Sequence, residues 1–317
     1  MKGVNRMAAV AAIVAAGVLT ITQVRSGDAM SSGLVGASRA VAHGAEWIVM
    51  AVSHRVAGLF DRHEARDIRR DVDVRVREGR VRQAGDFTWR GAVSPGGFVE
   101  VKGVNGDVIA ERATGGEVEV RAEKSARRSD PDAVRIEVVE HAGGVTLCAV
   151  YPSSSGRENS CEPGSGGRDN VRNNDVQVTF YVSVPEGVEL RGRTVNGDVE
   201  VNDLASDVHA NTVNGDIDIV TTGFAEASTV NGSIEAAMGG YHVERGLSFA
   251  TVNGSISLDL PDDIDADVDA RWVNGSLEAG LPLQLVGRLS RHAAQGVLGE
   301  GGPELSLKTV NGSIHLY

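Results

Sequence analysis

Val208-His-Ala-Asn-Thr-Val-Asn-Gly-Asp-Ile-Asp-Ile219 places apolar or small residues at Val208, Ala210 and Thr212, breaks the alternation at Asn214-Gly215, and resumes it at Ile217 and Ile219. Period two on both sides of an Asn-Gly reads as two strands meeting at a tight corner, because Asn and Gly enter positive-φ conformations at least cost. Around Asn253 the pattern returns, with Leu247, Phe249 and Thr251 before the corner and Ile256 and Leu258 after it. Val-Asn-Gly occurs seven times, at Asn105-Gly106, Asn196-Gly197, Asn214-Gly215, Asn231-Gly232, Asn253-Gly254, Asn274-Gly275 and Asn311-Gly312, each followed by Asp or Ser and a branched apolar residue.

Between Asn196 and Asn274 the corners recur after 18, 17, 22 and 21 residues, the interval of one short solenoid coil or of one strand pair with its turns. An all-β fold follows in one of two forms. One is a repetitive single-stranded β-solenoid. The other is an antiparallel β-meander or sandwich of Asn-Gly hairpins. A hairpin turns the Val before each Asn to the face it shares with Asp or Ser. A coil that bends at Asn-Gly admits that Val to the interior and stacks Asn on Asn in a hydrogen-bonded ladder. The recurrence of Val in all seven copies favours the coil.

Composition agrees with short Val/Ile/Leu strands and tight turns: 41% hydrophobic residues, only 4% aromatic, and 40 glycines in 317 residues. The net charge of −12 argues against a nucleic-acid partner, which clustered Lys and Arg would be needed to hold. The Arg-rich stretch from Arg62 to Arg82 is interleaved with Asp61, Glu64, Asp67, Asp71, Asp73 and Glu78, and reads as a solvated mixed-charge face.

Three segments are expected. Residues 1–29 have the layout of an export signal or membrane anchor: Lys2 and Arg6, an uncharged run from Met7 to Val24, then small residues at Gly27 and Ala29. Residues 30–84 hold an amphipathic helix over Ser31–Asp61, with Leu34, Val41, Trp47, Ile48, Val52 and Leu59 at spacings near three and four, and a charged connector. Membrane contact through 7–24 and 31–61 is open to this chain. Residues 85–317 form the β-repeat. Within it Cys148 and Cys161, the only cysteines, bracket a Gly/Ser/Pro-rich loop and are expected to pair in an oxidising compartment. Strands are expected over Phe98–Val101, Glu117–Val120, Val134–Val139, Val145–Val150 and Val176–Val184.

Phe98-Val-Glu-Val-Lys-Gly-Val-Asn-Gly-Asp-Val108, the lead-in Val182-Ser-Val-Pro-Glu-Gly-Val188, the tandem Thr-Val-Asn-Gly units and the closing Gly299-Glu-Gly-Gly-Pro-Glu-Leu-Ser-Leu-Lys-Thr-Val-Asn-Gly-Ser-Ile314 together resemble the bacterial putative-adhesin family of unknown function, whose β-domain is called a toast rack. The resemblance spans roughly Asp86 to Tyr317. It implies a repetitive β-domain displayed in the cell envelope, sometimes beside envelope-stress signalling components, with no established catalysis and no catalytic residues to carry over.

No catalytic or metal signature competes with this. Gly296–Gly302 lacks the Gly-Lys-Ser/Thr ending of a phosphate loop and runs into Pro303. His63-Glu64 has Asp67 where HExxH needs its second His, and no Gly-x-Ser-x-Gly elbow exists. Asp107, Asp198 and Asp216 follow Asn-Gly at equivalent positions and could attract calcium if stacked. Ser233, Ser255, Ser276 and Ser313 fill the same place, which points instead to a short oxygen that accepts a backbone amide.

The expectation is a non-enzymatic, exported protein of the periplasm or cell surface, without cofactor or metal, acting as an interaction module toward a cell-envelope protein or glycan surface. Alternatives are a membrane-tethered envelope-stress accessory and, third, a carbohydrate-active enzyme with a carboxylate pair on a coil face.

Overall fold

The computed structural model describes residues 12–15, 18–21, 82–83, 85–154, 156–239, 246–286 and 290–317. The chain divides into two compact units, Met1–Arg80 and Val81–Tyr317. In the first, strands Ala12–Ala15 and Val18–Ile21 pair antiparallel. The helix expected over 31–61 and most of the apolar run 7–24 lie outside the described residues. Among the described residues no helix is long and apolar enough to cross a membrane.

The second unit is a stack of coils between two eleven-stranded sheets. Each coil, or rung, supplies a strand before Asn-Gly to one sheet (sheet II) and a strand after it to the other (sheet I). Thus Val208–Asn211 lies in sheet II and Ile217–Thr221 in sheet I, each parallel to its counterparts in the neighbouring rungs. The asparagines themselves bridge in the order Asn105, Asn196, Asn214, Asn231, Asn253, Asn311, Asn274. The parallel stacking establishes the solenoid and excludes the meander of hairpins. One further rung, Gly144–Val150 with Gln177–Val184, stacks before the Asn105 rung, and residues 151–176 replace its corner.

Antiparallel strands close the stack. Arg135–His141 covers one edge of sheet II, and Val118–Ala126 with Phe87–Gly91 covers one edge of sheet I. At the far end Ala293–Leu298 and Gln284–Leu285 cover sheet II, while Leu277–Ala279 ends sheet I. The last two corners are exchanged relative to the chain: the Asn311 rung lies between those of Asn253 and Asn274.

Alternation decides what is inside. Val208, Ala210, Ile217 and Ile219 are buried, as are Leu247, Phe249, Ile256 and Leu258 two rungs along, and each such Val, Ile or Leu contributes about 1.5–3 kcal/mol by leaving water. Small residues make room for large ones across rungs, Ala227 standing opposite Phe249.

Two expectations about the corner are corrected. At six of the seven corners the valine before Asn is not interior: Val195, Val213, Val230, Val252, Val310 and Val273 are between 37% and 52% exposed, while Val104 is half-buried against the core. From buried Thr212 to buried Ile217 is five residues, so the corner shifts the inward parity by one, and Thr takes the interior place. Its hydroxyl tolerates burial because it donates to a glycine carbonyl of the adjacent rung, as Thr229 does to Gly215 at 3.0 Å. Nor is positive φ the general reason for glycine: no corner Asn has it, and Gly215, Gly232 and Gly254 lack it. Successive glycines pass so closely that a Cβ on Gly232 would lie 1.9 Å from the Gly215 carbonyl oxygen. Close approach of backbones, not handedness, demands the missing side chain.

Candidate functional site

Three ladders run along the corner, each made by the stacking of like residues about 4.8 Å apart. Asn side chains bond in series: Asn196 Nδ2 donates to Asn105 Oδ1 at 2.8 Å, Asn214 to Asn196 at 2.8 Å, Asn231 to Asn214 at 2.7 Å, Asn253 to Asn231 at 2.7 Å, Asn311 to Asn253 at 2.8 Å and Asn274 to Asn311 at 2.8 Å. Beside them the valines form an outward apolar column. On the other side, the residue after Gly accepts a backbone N–H from the next rung: Asp107 from Asp198 at 3.0 Å, Asp198 from Asp216 at 2.8 Å, Asp216 from Ser233 at 2.7 Å, and Ser233 from Ser255 at 3.2 Å. A carboxylate and a hydroxyl oxygen do this work equally well, which explains why Asp and Ser interchange. No group of three or more His, Cys, Asp or Glu among the described residues is placed to hold a metal.

From Asn196 to Asn274 each amide gives one N–H to the ladder, whereas Asn105 Nδ2 turns to Asn174 O and Val176 O. The corner therefore presents a straight, rigid strip in which a row of valines runs alongside a row of amides.

On the outer face of sheet II, Cys148 and Cys161 are joined in a disulfide. The loop they anchor covers the Asn105 and Asn196 rungs: Lys102 Nζ donates to the carbonyls of Glu162 (2.7 Å) and Gly166 (2.9 Å), and Arg193 Nη1 to that of Gly164 (3.0 Å). Beneath it Glu100 is fully buried, accepting from Gly164 N at 2.8 Å and Thr146 Oγ1 at 3.0 Å, with Arg193 Nε 3.8 Å away. Its Oε1 has no hydrogen-bond partner. Parity alone places Glu100 outward and wet; only the tertiary fold of the loop shows that it is dry.

His141 Nε2 lies 3.1 Å from Thr146 Oγ1, and a hydroxyl, an imidazole and a carboxylate in one string invite comparison with a nucleophile triad. The order is wrong for one. Gly143 N donates to His141 Nδ1 at 3.2 Å, so Nε2 carries the proton and faces Thr146 as a donor, while the Thr146 hydroxyl gives its own proton to Glu100. Imidazole cannot act as base toward that hydroxyl, and the buried Thr146 is out of a substrate's reach. Farther along sheet II, His209 lies between Glu189 (3.1 Å) and Glu226 (2.8 Å) in a row of stacked polar side chains.

Two groups near the missing corner have displaced proton affinities. Burial pushes the Tyr151 phenol well up, and its OH donates to Val176 O at 3.0 Å. The backbone N–H groups of Ser129 and Arg128 hold the Asp175 carboxyl well below the usual carboxylate range. An open groove of about 780 Å³ lies over sheet II at the far end, lined among others by Asp267, Asp269, Arg271, Gln295, Glu304 and Lys308.

A family model described as Toastrack DUF4097 matches residues 99–317. Among solved structures, a putative cell adhesion protein from Clostridium sporogenes ATCC 15579 is 10% identical, with a TM-score of 0.40, over 73% of this chain and 99% of its own. A putative adhesin from Bacteroides fragilis NCTC 9343 is 11% identical, with a TM-score of 0.29, over 74% of this chain and 97% of its own. No curated protein matches.

Proposed function

The chain belongs to the Toastrack DUF4097 family, and from that premise we propose that it is an exported, non-catalytic interaction module that binds a cell-envelope protein or glycan surface through its Val-Asn corner. The observation that carries this reading is the exposed valine column. Six valines stand outward in one line although the interior is already filled by Thr and the alternating Ile, Leu and Val, so the core does not need them there. A column of apolar side chains flanked by amides offers both the dry contact and the hydrogen bonds that a flat, periodic partner requires. The Cys148–Cys161 disulfide supports an oxidising, extracytoplasmic setting, and the run from Met7 to Val24 supplies the export or anchoring signal.

The test substitutes Val213, Val230 and Val252 together by Thr, which keeps shape and strand propensity and adds hydroxyls that water can reach. Pelleting with isolated cell envelopes is expected to be lost while the urea midpoint stays near that of the parent. A matching triple change of Glu200, Asp218 and Glu235, on the outward face of sheet I, is expected to leave binding intact. Retained binding in the valine variant, or loss in the acidic variant alone, moves the site off the corner.

A further inference from the structure

The C-terminal coil enters the stack out of order. Residues 266–279 form the terminal rung, yet residues 304–316, later in the chain, lie inside it, between the Asn253 and Asn274 corners. Six residues, 260–265, step across the position that the last segment occupies.

Both walls of this slot are fully engaged. Toward the Asn253 rung, Gly254 N donates to Asn311 O at 3.0 Å, Asn311 N to Val252 O at 2.8 Å and Ile256 N to Ser313 O at 2.9 Å. Toward the Asn274 rung, Gly312 N donates to Asn274 O at 2.9 Å, Asn274 N to Val310 O at 2.8 Å and Ile314 N to Ser276 O at 2.8 Å. Leu305, Leu307, Ile314 and Leu316 are fully buried, so the segment fills four apolar places in the core.

Two features make this rung separable from the rest. It is tethered by Gly299-Glu300-Gly301-Gly302-Pro303, with Gly299 and Gly301 at φ of 58° and 81°, positions where glycine pivots at low steric cost. The slot reads backbone groups, one Asn and alternating apolar side chains, all of which any copy of residues 304–317 supplies identically. Exchange between copies therefore preserves each contact.

We propose that residues 304–317 are an exchangeable donor strand, and that the slot between the Asn253 and Asn274 rungs accepts this segment from a second copy of the chain. The exchanged segment carries Val310 with it and the second copy's Val310 takes the same place in the column, so the linkage does not depend on what that corner binds.

Ser255 and Ser313 face each other across one wall of the slot, with Ser313 N 3.2 Å from Ser255 Oγ. Adjacent rungs, about 4.8 Å apart, fall within the Cα range of a disulfide. Full-length Ser255→Cys and full-length Ser313→Cys proteins, with different tags and the native disulfide intact, are mixed, incubated and then oxidised. A covalent heterodimer that grows with incubation time is expected. It should be lost when the Ser313→Cys partner is replaced by a Ser255→Cys/Ser313→Cys double variant already closed within itself. Absence of heterodimer although the double variant closes internally overturns the proposal. Equal yield with Ser233→Cys in place of Ser255→Cys, one rung farther from the slot, also overturns it, because collision would then explain the product.

Discussion

Gly232→Ala tests whether the corner is governed by close approach of rungs. The added Cβ would lie 1.9 Å from Gly215 O and 2.5 Å from Gly215 C, and both are backbone atoms that no rotamer change can move. Restoring ordinary contact requires the two rungs to part by more than about 1 Å, which stretches the bonds that tie them beyond useful length. Those bonds are Gly215 N to Asn231 O (3.0 Å), Asn231 N to Val213 O (2.8 Å), Asn231 Nδ2 to Asn214 Oδ1 (2.7 Å) and Thr229 Oγ1 to Gly215 O (3.0 Å). At roughly 1 kcal/mol each, their loss amounts to about 4 kcal/mol, before any strain in the sheets on either side. The expected result in urea unfolding followed by circular dichroism is a large fall in midpoint. Gly275→Ala meets an equal clash, 1.9 Å from Gly312 O, but its rung ends the Asn ladder and can move outward, so its cost should be clearly smaller. Gly116→Ala meets nothing within 4 Å and is expected to be neutral or to stabilise by about 0.4–1 kcal/mol. If Gly232→Ala cost less than about 1 kcal/mol, or no more than Gly275→Ala, inter-rung contact would not be what selects glycine.

Asn231→Ala removes two ladder bonds and Asn274→Ala one, so in the same unfolding assay the first is expected to cost about 1–2 kcal/mol and the second about half that. Replacing Cys148 and Cys161 by Ser frees a loop with a sequence separation of 13 residues and should cost about 3 kcal/mol, with faster proteolysis within 151–176 as the local readout. Glu100→Ala strips Gly164 N and Thr146 of a charged acceptor and is expected to cost about 2–3 kcal/mol, with the same increase in loop cleavage. Because burial raises the folded-state affinity of Tyr151 for its proton, its stabilising contribution is complete below pH about 10 and declines as pH rises above it; Tyr151→Phe should flatten that alkaline decline. The depressed Asp175 carboxyl acts in the opposite direction, contributing above pH about 4 and losing its effect on acidification, so Asp175→Asn should flatten the acid limb.

The period-two pattern on either side of each Asn-Gly was enough to specify strands and corner, because inward positions such as Val208, Ala210, Ile217 and Ile219 carry their burial in their residue type; stacking was favoured over hairpins on the recurrence of Val, which reached the right fold through a burial that those valines do not have. The strand runs read from 98, 117, 134, 145 and 176 onward start within one residue of the observed strands, and all but one end within two; the run expected over Glu117–Val120 continues to Ala126. Val213 was harder. Its recurrence invites the inference of burial, but a β-branched residue stacked on its own copies is equally well selected while half exposed, and only the parity shift across the corner distinguishes the two. Glu100 and the out-of-order final coil share a different difficulty. Gly164 comes to Glu100 across 64 residues, and residues 304–316 come to Asn253 across more than fifty, so neither contact leaves a local trace in the chain. What local pattern encodes is the rung; what it does not encode is which rung follows which.

The corner divides labour in a way that bears on binding. Thr and the alternating aliphatics hold the interior, Gly permits the approach, and Asn joins the rungs, which leaves the Val column and the residue after Gly free of the core. That last position is Asp in the Asn105, Asn196 and Asn214 rungs and Ser in the other four. Like charges about 4.8 Å apart repel by roughly 0.9 kcal/mol in water, so three stacked carboxylates are tolerated only because each gains an amide bond and is screened by salt. The acidic half of the strip also lies at the end that carries the disulfide loop, and Glu200 and Asp218 extend the negative charge onto the face of sheet I. The neutral half, from Ser233 to Ser276, is the end where the final coil inserts. A partner that lies along the valines meets a graded field, repelled at one end if anionic and indifferent at the other. An anionic envelope polymer would therefore be held toward the serine half of the strip, and the Val230, Val252 and Val310 positions would carry more of its binding than Val195 and Val213.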